Sequence, residues 1–189
     1  MMRNSTPDRF IILASGPSLN QQDVDLIRGK GTVIAVNRTI ELAPWADILY
    51  GCDTSFWRNF GPKDFKGKKY SITCSGYGCT KLEYAHLPGL GRDKIHSANN
   101  SGYQALNLAY LLGAKEIILL GYDMQATWGR KHFHPDYPKS MSNANCLHRW
   151  IEHFPAIARD LKAEGVRVIN CTRETALICF ERLPLESVL

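Results

Sequence analysis

Residues Asn99–Asp123, NNSGYQALNLAYLLGAKEIILLGYD, decide the fold that this chain adopts. The segment is read as a polar loop, a helix, a tight turn at Gly113, a buried apolar strand and a second polar loop. A helix that leads into a buried strand belongs to an alternating α/β pattern, in which both polar loops lie at one edge of a sheet. Open α/β sheets bind their ligands at that edge, beyond the carboxyl ends of the strands.

The same alternation continues on both sides of this segment. Apolar runs predict further strands at Phe10–Ala14, Thr32–Val36, Asp47–Gly51, Tyr70–Cys74 and Val166–Asn170. These runs are continuously apolar, which indicates strands that are buried on both faces. We therefore predict a single Rossmann-like α/β domain over residues 1–189, with a mostly parallel sheet and helices on both faces.

A broken helix and two long loops complete the predicted organisation. Residues Asn145–Glu164 have apolar side chains at helical spacing, and Pro155 predicts a kink or a break into two helices. The irregular regions Ser75–Asn100 and Tyr122–Asn143 are long for a compact domain, which is typical of functional segments. We predict that the second region, at about residues 122–143, forms a lid over the site.

Composition and charge narrow the classes of partner. The net charge of +5 suits nucleotides and other anions, and it leaves nucleic acid open as a partner. No apolar run approaches the roughly 18 residues of a membrane span, and the first ten residues contain no signal-like apolar stretch. We therefore expect a cytoplasmic protein with no membrane partner.

The six cysteines include no C-x-x-C pair, which favours reduced thiols over a zinc site.

Small and polar residues stand where the predicted strands end. Glycine lets the backbone approach a phosphate, and the N-terminus of a helix favours an anion through its free N–H groups. Residues on neighbouring strand ends would meet along one crevice. The predicted nucleotide-binding residues are Gly16, Pro17, Ser18, Asn37, Asp53, Asn100, Ser101, Gly102 and Asp123.

Each of these residues also has a purely structural interpretation. Ser18 and Ser101 can cap helices, and Asn37 and Asp53 can end strands in turns. The first loop lacks G-x-G-x-x-G, and G-K-[ST] occurs nowhere, so neither a dinucleotide fingerprint nor a P-loop supports the site. The shared position at one sheet edge is what favours a ligand site.

Residues 128–138, WGRKHFHPDYP, place titratable groups in the predicted lid. We predict His134, His132 and Asp136 as catalytic residues, because a His and an Asp this close can form an acid–base pair. Arg130 and Lys131 are candidates to neutralise a phosphate leaving group. An H-x-H pair alone supplies too few ligands for a metal, so no metal-binding residue is predicted. A solvated loop with incidental histidines is the alternative.

Six stretches together resemble a family of small proteins common in tailed phages and prophages. They are ASGPSL (14–19), AVNRT (35–39), APWADILYGCDTSFW (43–57), NNSGYQALNLAYLLGAKEIILLGYDM (99–124), HFHPDYP (132–138) and GVRVINCTRETALICF (165–180). The match covers nearly the whole chain in order and spacing. It implies a phage-encoded protein located in the cytoplasm of the host cell.

The layout is also similar, more distantly, to the bacterial sialyltransferases that use CMP-sialic acid, glycosyltransferase family 42. Those enzymes share the Gly-Pro-Ser-Leu loop, an Asn after the second strand, a Ser-Gly helix start, a strand ending in Gly-x-Asp and a lid histidine. The resemblance implies that the nucleotide is surrounded by Gly16, Ser18, Asn37, Ser101 and Gly102.

The same resemblance assigns roles in the lid. It implies His132 or His134 as the general base and Tyr137 as a phosphate-binding residue. Ser15 stands where those transferases carry glycine, and Cys52-Asp53 replaces their Tyr-Asn pair at the third strand. The likeness to CMP-dependent enzymes is therefore incomplete in two of the loops.

A second distant resemblance is to the archaeal type of 6-hydroxymethyl-dihydropterin diphosphokinase, a domain formerly of unknown function. That group shares the Gly-Pro-Ser-Leu loop and aspartates at strand ends. The resemblance implies Asp53 and Asp123 as ligands of a magnesium ion.

Three functions follow as hypotheses. The first is a transferase that uses a nucleotide or nucleotide-sugar donor, with a lid histidine as general base. The second is a magnesium-dependent pyrophosphokinase acting on a pterin-like alcohol. The third is a phage protein that binds a nucleotide without turnover. The sequence leaves the acceptor and the oligomeric state open.

Overall fold

Parallel strands form the centre of the computed structural model, which describes residues 8–141 and 144–189. The strands are β1 (Arg9–Leu13), β2 (Thr32–Val36), β3 (Ile48–Tyr50), β4 (Lys68–Ser71), β5 (Thr80–Lys81), β6 (Tyr84–Ala85), β7 (Ile95–His96), β8 (Glu116–Leu120), β9 (Arg167–Asn170) and β10 (Glu181–Arg182). Strands β6 and β7 form a small parallel pair, and the others form one parallel sheet in the order β10-β9-β8-β1-β2-β3-β4-β5.

Helices cover both faces of the larger sheet. They are α1 (Gln21–Leu26), α2 (Thr54–Phe60), α3 (Ser101–Leu111), α4 (Leu147–Ile151) and α5 (Phe154–Ala163), with 3₁₀ turns at Asn37–Glu41 and Leu185–Ser187. Neighbouring residues of β1 point to opposite faces, so Ile12 packs in the core of α3 and α5, and Ile11 packs in the core of α1 and α2. This arrangement confirms the predicted Rossmann-like α/β class.

The order of the strands creates a switch point beside β1. Leu13 of β1 lies opposite Ala35 of β2 on one side and Leu120 of β8 on the other. The chain moves outward from β1 to β5 and then returns to the opposite side of β1 through β8. The chain therefore proceeds to opposite sides of β1 from this point, and such a switch point at the carboxyl edge of the sheet is where open α/β folds form a ligand crevice.

The predicted long helix is broken, as Pro155 indicated. Helix α4 ends at Ile151 and α5 begins at Phe154, which places Pro155 in the first turn of α5. Proline is tolerated there because the first N–H groups of a helix have no intrahelical partner.

The structure also contains elements that the sequence pattern did not predict, namely α2, β5, β6, β7 and β10. Residues 142 and 143 of the predicted lid, and residues 1–7 of the predicted domain, lie outside the described residues.

None of the helices in the described ranges combines the length and the apolar composition required to cross a lipid bilayer.

Candidate functional site

A cleft of about 440 Å³ opens at the carboxyl edge of the sheet, beside the switch point. Its walls include the ends of β1, β2, β3 and β8, the start of α3 and part of the lid region. Nine predicted site residues line it: Gly16, Asn37, Asp53, Asn100, Ser101, Gly102, Asp123, His132 and Tyr137. The fold therefore places nine of the predicted site residues, which range from Gly16 to Tyr137 along the chain, around one cleft.

Four predicted site residues do not line this cleft: Pro17, Ser18, His134 and Asp136. Ser18 is buried and bonded to Asp123, and His134 is buried behind His132. Asp136 is exposed to solvent. Ser18 and His134 therefore contact neighbouring side chains of the site rather than the cleft itself.

Asp123 closes the switch point by binding the loop after β1. Its carboxylate accepts hydrogen bonds from the backbone N–H of Ser18 at 3.0 Å, the Ser18 hydroxyl at 2.8 Å and the Thr127 hydroxyl at 2.9 Å. Burial raises the pKa of Asp123 above its ordinary value, and these hydrogen bonds oppose that shift. A Cβ atom on Gly16 would lie 2.1 Å from Asp123 Oδ1 and 2.4 Å from the Gly121 carbonyl oxygen. Glycine is thus required here for contact between the two loops.

Asn37 and Asp53 present polar side chains at the ends of β2 and β3. Asn37 has φ = 54°, a left-handed conformation that asparagine adopts more readily than most residues. Asp53 is the N-cap residue of α2, yet its side chain makes no capping hydrogen bond. Aspartate at this position usually caps the helix. The Asp53 carboxylate therefore lines the cleft without a hydrogen bond that caps α2.

The first turn of α3 forms another part of the cleft wall. Asn100 caps this helix by accepting a hydrogen bond from the N–H of Tyr103 at 2.9 Å, so the cap does not engage the N–H groups of Ser101 and Gly102. The N-terminus of an 11-residue helix carries a partial positive charge that favours an anion. Gly102 has a packing role as well, because its Cβ would lie 3.1 Å from Cε1 of Tyr122.

The two histidines of the predicted lid, His132 and His134, stack on each other, and of the two only His132 lines the cleft. Their rings are nearly parallel, with centroids 4.8 Å apart. The backbone N–H of Phe133, between them, donates to the Ser15 carbonyl at 3.1 Å and so ties this segment to the loop after β1. Within residues 8–141 and 144–189, three buried side-chain atoms have no hydrogen-bond partner: Ser15 Oγ, His132 Nε2 and His134 Nε2. Ser15 and His132 line the cleft, and a buried polar atom without a partner at such a place is a candidate contact for a ligand.

Burial favours the neutral form of both histidines. It lowers the pKa of His132 below the ordinary value, and the charge of Asp136 and a hydrogen bond to the backbone of Ser15 oppose this shift. Burial also lowers the pKa of His134, to about 4. A neutral imidazole can accept a proton, as a general base must.

Cys52 also lines the cleft, but its thiol is held protonated. Burial and the nearby charge of Asp53 raise the pKa of Cys52 to about 12. The thiolate is the nucleophilic form of cysteine, so Cys52 is unsuited to covalent catalysis at neutral pH. All six cysteines of the chain are unpaired in this structure.

Sequence reasoning missed a polar and aromatic wall that the region before α3 supplies. Tyr84 and His86 of this wall contact edge to face with ring centroids 5.2 Å apart, and Nδ1 of His86 lies 3.4 Å from the Ser97 hydroxyl. Gln104 of α3 joins them by donating to the Ser97 carbonyl at 3.1 Å. The length of loop 75–100 was the available signal, but no motif within it indicates which residues face the cleft.

Of the two basic residues in the predicted lid, Lys131 lines the cleft and Arg130 does not.

Within the described ranges, no three His, Cys, Asp or Glu side chains come together as a metal-binding group. Comparisons with protein-family models, with curated proteins and with solved structures found no match to this chain.

Proposed function

We propose that the protein is a nucleotide-dependent transferase, and that it transfers a glycosyl group from a nucleotide-sugar donor with His132 as general base. The observation that carries the proposal is the buried, unpartnered Nε2 atom of His132 on the cleft wall, in a ring whose pKa is lowered by burial. The cleft lies at the switch point of a parallel sheet, where doubly wound folds bind nucleotides.

The proposed reaction is a displacement at the anomeric carbon of the donor sugar. His132 removes the proton of an acceptor hydroxyl, whose oxygen then forms a bond to the anomeric carbon. The bond between that carbon and the phosphate oxygen breaks, and the nucleotide leaves with the electron pair. The developing negative charge requires stabilisation, for which Lys131 and the first turn of α3 are the nearby positive groups on the cleft wall.

The remaining cleft residues suit the other parts of a nucleotide. The Asp53 carboxylate and the Asn37 amide can bind ribose hydroxyls. Tyr84 and His86 offer aromatic surfaces on which a nucleobase can stack. The Tyr137 ring, from the lid region, contacts the ring of His132 edge to face at 5.6 Å, so a phosphate bound by Tyr137 would lie beside the proposed base.

The pyrophosphokinase alternative receives less support from the same contacts. That hypothesis assigns Asp53 and Asp123 to one magnesium ion. Asp123 instead uses both carboxylate oxygens to hold Ser18 and Thr127, and it would have to release these hydrogen bonds to bind a cation. Asp53 alone remains suited to that role.

A ligand screen tests the proposal directly. The melting temperature of the purified protein is measured with CMP, CDP, UMP, UDP, GDP, ADP and ATP, each with and without magnesium. Ligands that bind only the folded state raise it by mass action. Stabilisation by a pyrimidine nucleotide, followed by slow hydrolysis of the matching nucleotide sugar, supports the transferase.

Two other results would contradict the proposal. Stabilisation by ATP only when magnesium is present would favour the pyrophosphokinase. Binding of a nucleotide with no hydrolysis or transfer from any nucleotide sugar would favour a protein that binds without turnover.

A further inference from the structure

Arg38 follows β2, and all three nitrogen atoms of its guanidinium group contact other groups: Glu41, beside it in the chain, and His134 and Pro135 of the predicted lid. Its Nε and Nη2 atoms bind the Glu41 carboxylate at 2.6 and 3.0 Å, a two-point contact that fixes the plane of the group. The third nitrogen, Nη1, lies 3.2 Å from Nδ1 of His134 and 3.5 Å from the Pro135 carbonyl oxygen. The side chain of Arg38 is only 14% exposed, so these contacts are largely shielded from solvent.

Two aromatic rings pack near the same guanidinium group. Its central carbon lies 4.7 Å from the centroid of Phe60, in α2, and 5.9 Å from that of Tyr137. Tyr137 also forms a hydrogen bond with the backbone of Arg38. Cation–π contacts of this kind strengthen where water is excluded. Arg38 thus fixes both His134 and Tyr137 relative to the sheet.

His134 and Tyr137 in turn define the position of the His132 ring. His134 covers one face of that ring in the parallel stack, and Tyr137 meets it edge to face at 77°. Nδ1 of His134 has two polar neighbours, the Pro135 carbonyl oxygen at 2.7 Å and Nη1 of Arg38 at 3.2 Å. The His134 ring therefore makes its polar contacts through Nδ1 and stacks on the His132 ring, and it does not line the cleft.

We propose that Arg38 is a positioning residue that holds the ring of His132 in the cleft wall through His134 and Tyr137. The inference rests on the proposed role of His132 as general base. It assigns His134 to the support of that base rather than to proton transfer itself.

Several charged and titratable groups surround His132 and must enter any test by titration. They are Asp136, Lys131, Arg38, His134 and Tyr137. The charges of Lys131 and Arg38 lower the pKa of His132, and that of Asp136 raises it. A change at Arg38 can therefore act through lost charge or through movement of the ring, and the experiment has to separate the two.

The experiment compares Arg38→Met with Arg38→Lys by following the imidazole ¹H–¹³C signals during a pH titration. The chain has six histidines, and the spectrum of His132→Asn identifies the signal of His132. Arg38→Lys keeps the positive charge but loses the two-point contact with Glu41, whereas Arg38→Met loses both. Arg92→Met is the matched control, because Arg92 forms a comparable ion pair with Glu164 at 2.7 Å and does not line the cleft.

The positioning role predicts that the pKa of His132 rises in both Arg38 variants, by on the order of one unit, as the ring becomes more solvated. A rise in Arg38→Met alone would mean that Arg38 acts only through its charge, and no change in either would mean that it does not act on His132. Both results overturn the inference. If Arg38→Met does not fold, the pKa of His132 in Arg38→Lys alone tests the inference: a rise supports it and no change overturns it.

These spectra are recorded without substrate, so they do not depend on the transferase activity. Failure of the ligand screen would overturn the proposed function and leave the measured effect of Arg38 on His132 intact. Once a donor is known, the Arg38 variants are expected to lose kcat with little change in KM.

Discussion

The carboxylate of Asp123 binds Ser18 twice, through the backbone N–H at 3.0 Å and the side-chain hydroxyl at 2.8 Å. The two residues lie 105 positions apart and belong to the loops that follow β1 and β8. Hydrogen bonds within the protein therefore join the two loops at the switch point of the sheet, and the cleft lies beside these bonds.

Asp123→Asn is expected to destabilise the fold by about 2–3 kcal/mol, because the amide nitrogen would face a donor and leave buried groups unpaired. Urea unfolding measures the change. Asp25→Asn is the control, since Asp25 accepts one hydrogen bond at an exposed position. Unchanged stability together with lost nucleotide binding would instead make Asp123 a ligand-binding residue.

Gly16→Ala is expected to cost about 1–3 kcal/mol or more, because the added methyl group would overlap a buried carboxylate and a backbone carbonyl. Rotation of a side chain cannot relieve the contact with the Gly121 carbonyl oxygen. Gly76→Ala is the control, since no atom lies within 4 Å of the added Cβ there. Equal melting temperatures for the two variants would contradict the tight approach of the loops.

His134 is expected to make the protein less stable in mild acid. Its pKa falls from an ordinary 6.5 in the unfolded chain to about 4 in the folded state. Between these values the unfolded chain binds a proton that the folded chain does not, so the free energy of unfolding falls as the pH falls. Above the ordinary value the effect vanishes, and its full size is about 3 kcal/mol.

Urea unfolding at pH 7.5 and at pH 4.5 measures this dependence. His134→Phe keeps a stacking ring without a titratable group, and its stability should fall less between the two pH values. His148→Phe, at an exposed site on α4, is the control and should match the unmodified chain. An equal decline in His134→Phe would show that other groups cause the acid sensitivity.

His132→Asn is expected to lower kcat by about 10²–10⁴-fold, because general-base catalysis typically contributes this much. Nucleotide affinity, measured by calorimetry, should change little, since the base acts on the acceptor rather than on the donor. Equal losses in kcat and in affinity would assign His132 to binding. Retained activity would remove it from the mechanism.

Asn37 allows its backbone and its side chain to be tested separately. Asn37→Gly suits the observed φ of 54° and removes only the amide, whereas Asn37→Ala also strains the backbone. Asn37→Ala should therefore be less stable than Asn37→Gly by about 1 kcal/mol. If the amide binds the nucleotide, both variants should bind it more weakly by calorimetry. Unchanged affinity in Asn37→Gly would limit Asn37 to a turn role.

The central strands could be predicted because each is a continuous apolar run between turn residues. The observed β2 matches the predicted Thr32–Val36, β1 is shifted by one residue from the predicted Phe10–Ala14, and β8 is the buried strand predicted after the turn at Gly113. Strands of two residues, such as β5 and β10, are too short to show any periodicity. Helix α2 buries only Phe56 and Trp57, which gives no repeating pattern to detect.

The candidate site could likewise be predicted only in part. Residues at strand ends are placed by the topology of a parallel sheet, so Asn37 and Asp53 were found from the sequence. The histidines His132 and His134 are two positions apart in an irregular segment, where no periodicity tells which ring faces the cleft. The hydrogen bonds between Asp123 and Ser18 depend on contact across the fold, and no local pattern encodes them.

The two-residue strands at the ends of the sheet have a consequence for self-association. Strands β5 and β10 consist of exposed residues, Thr80–Lys81 and Glu181–Arg182, three of which are charged. A second sheet that approached either edge would find few backbone groups to pair with, and it would have to desolvate charged side chains. Both margins of the sheet therefore disfavour edge-to-edge aggregation of the kind that produces fibrils.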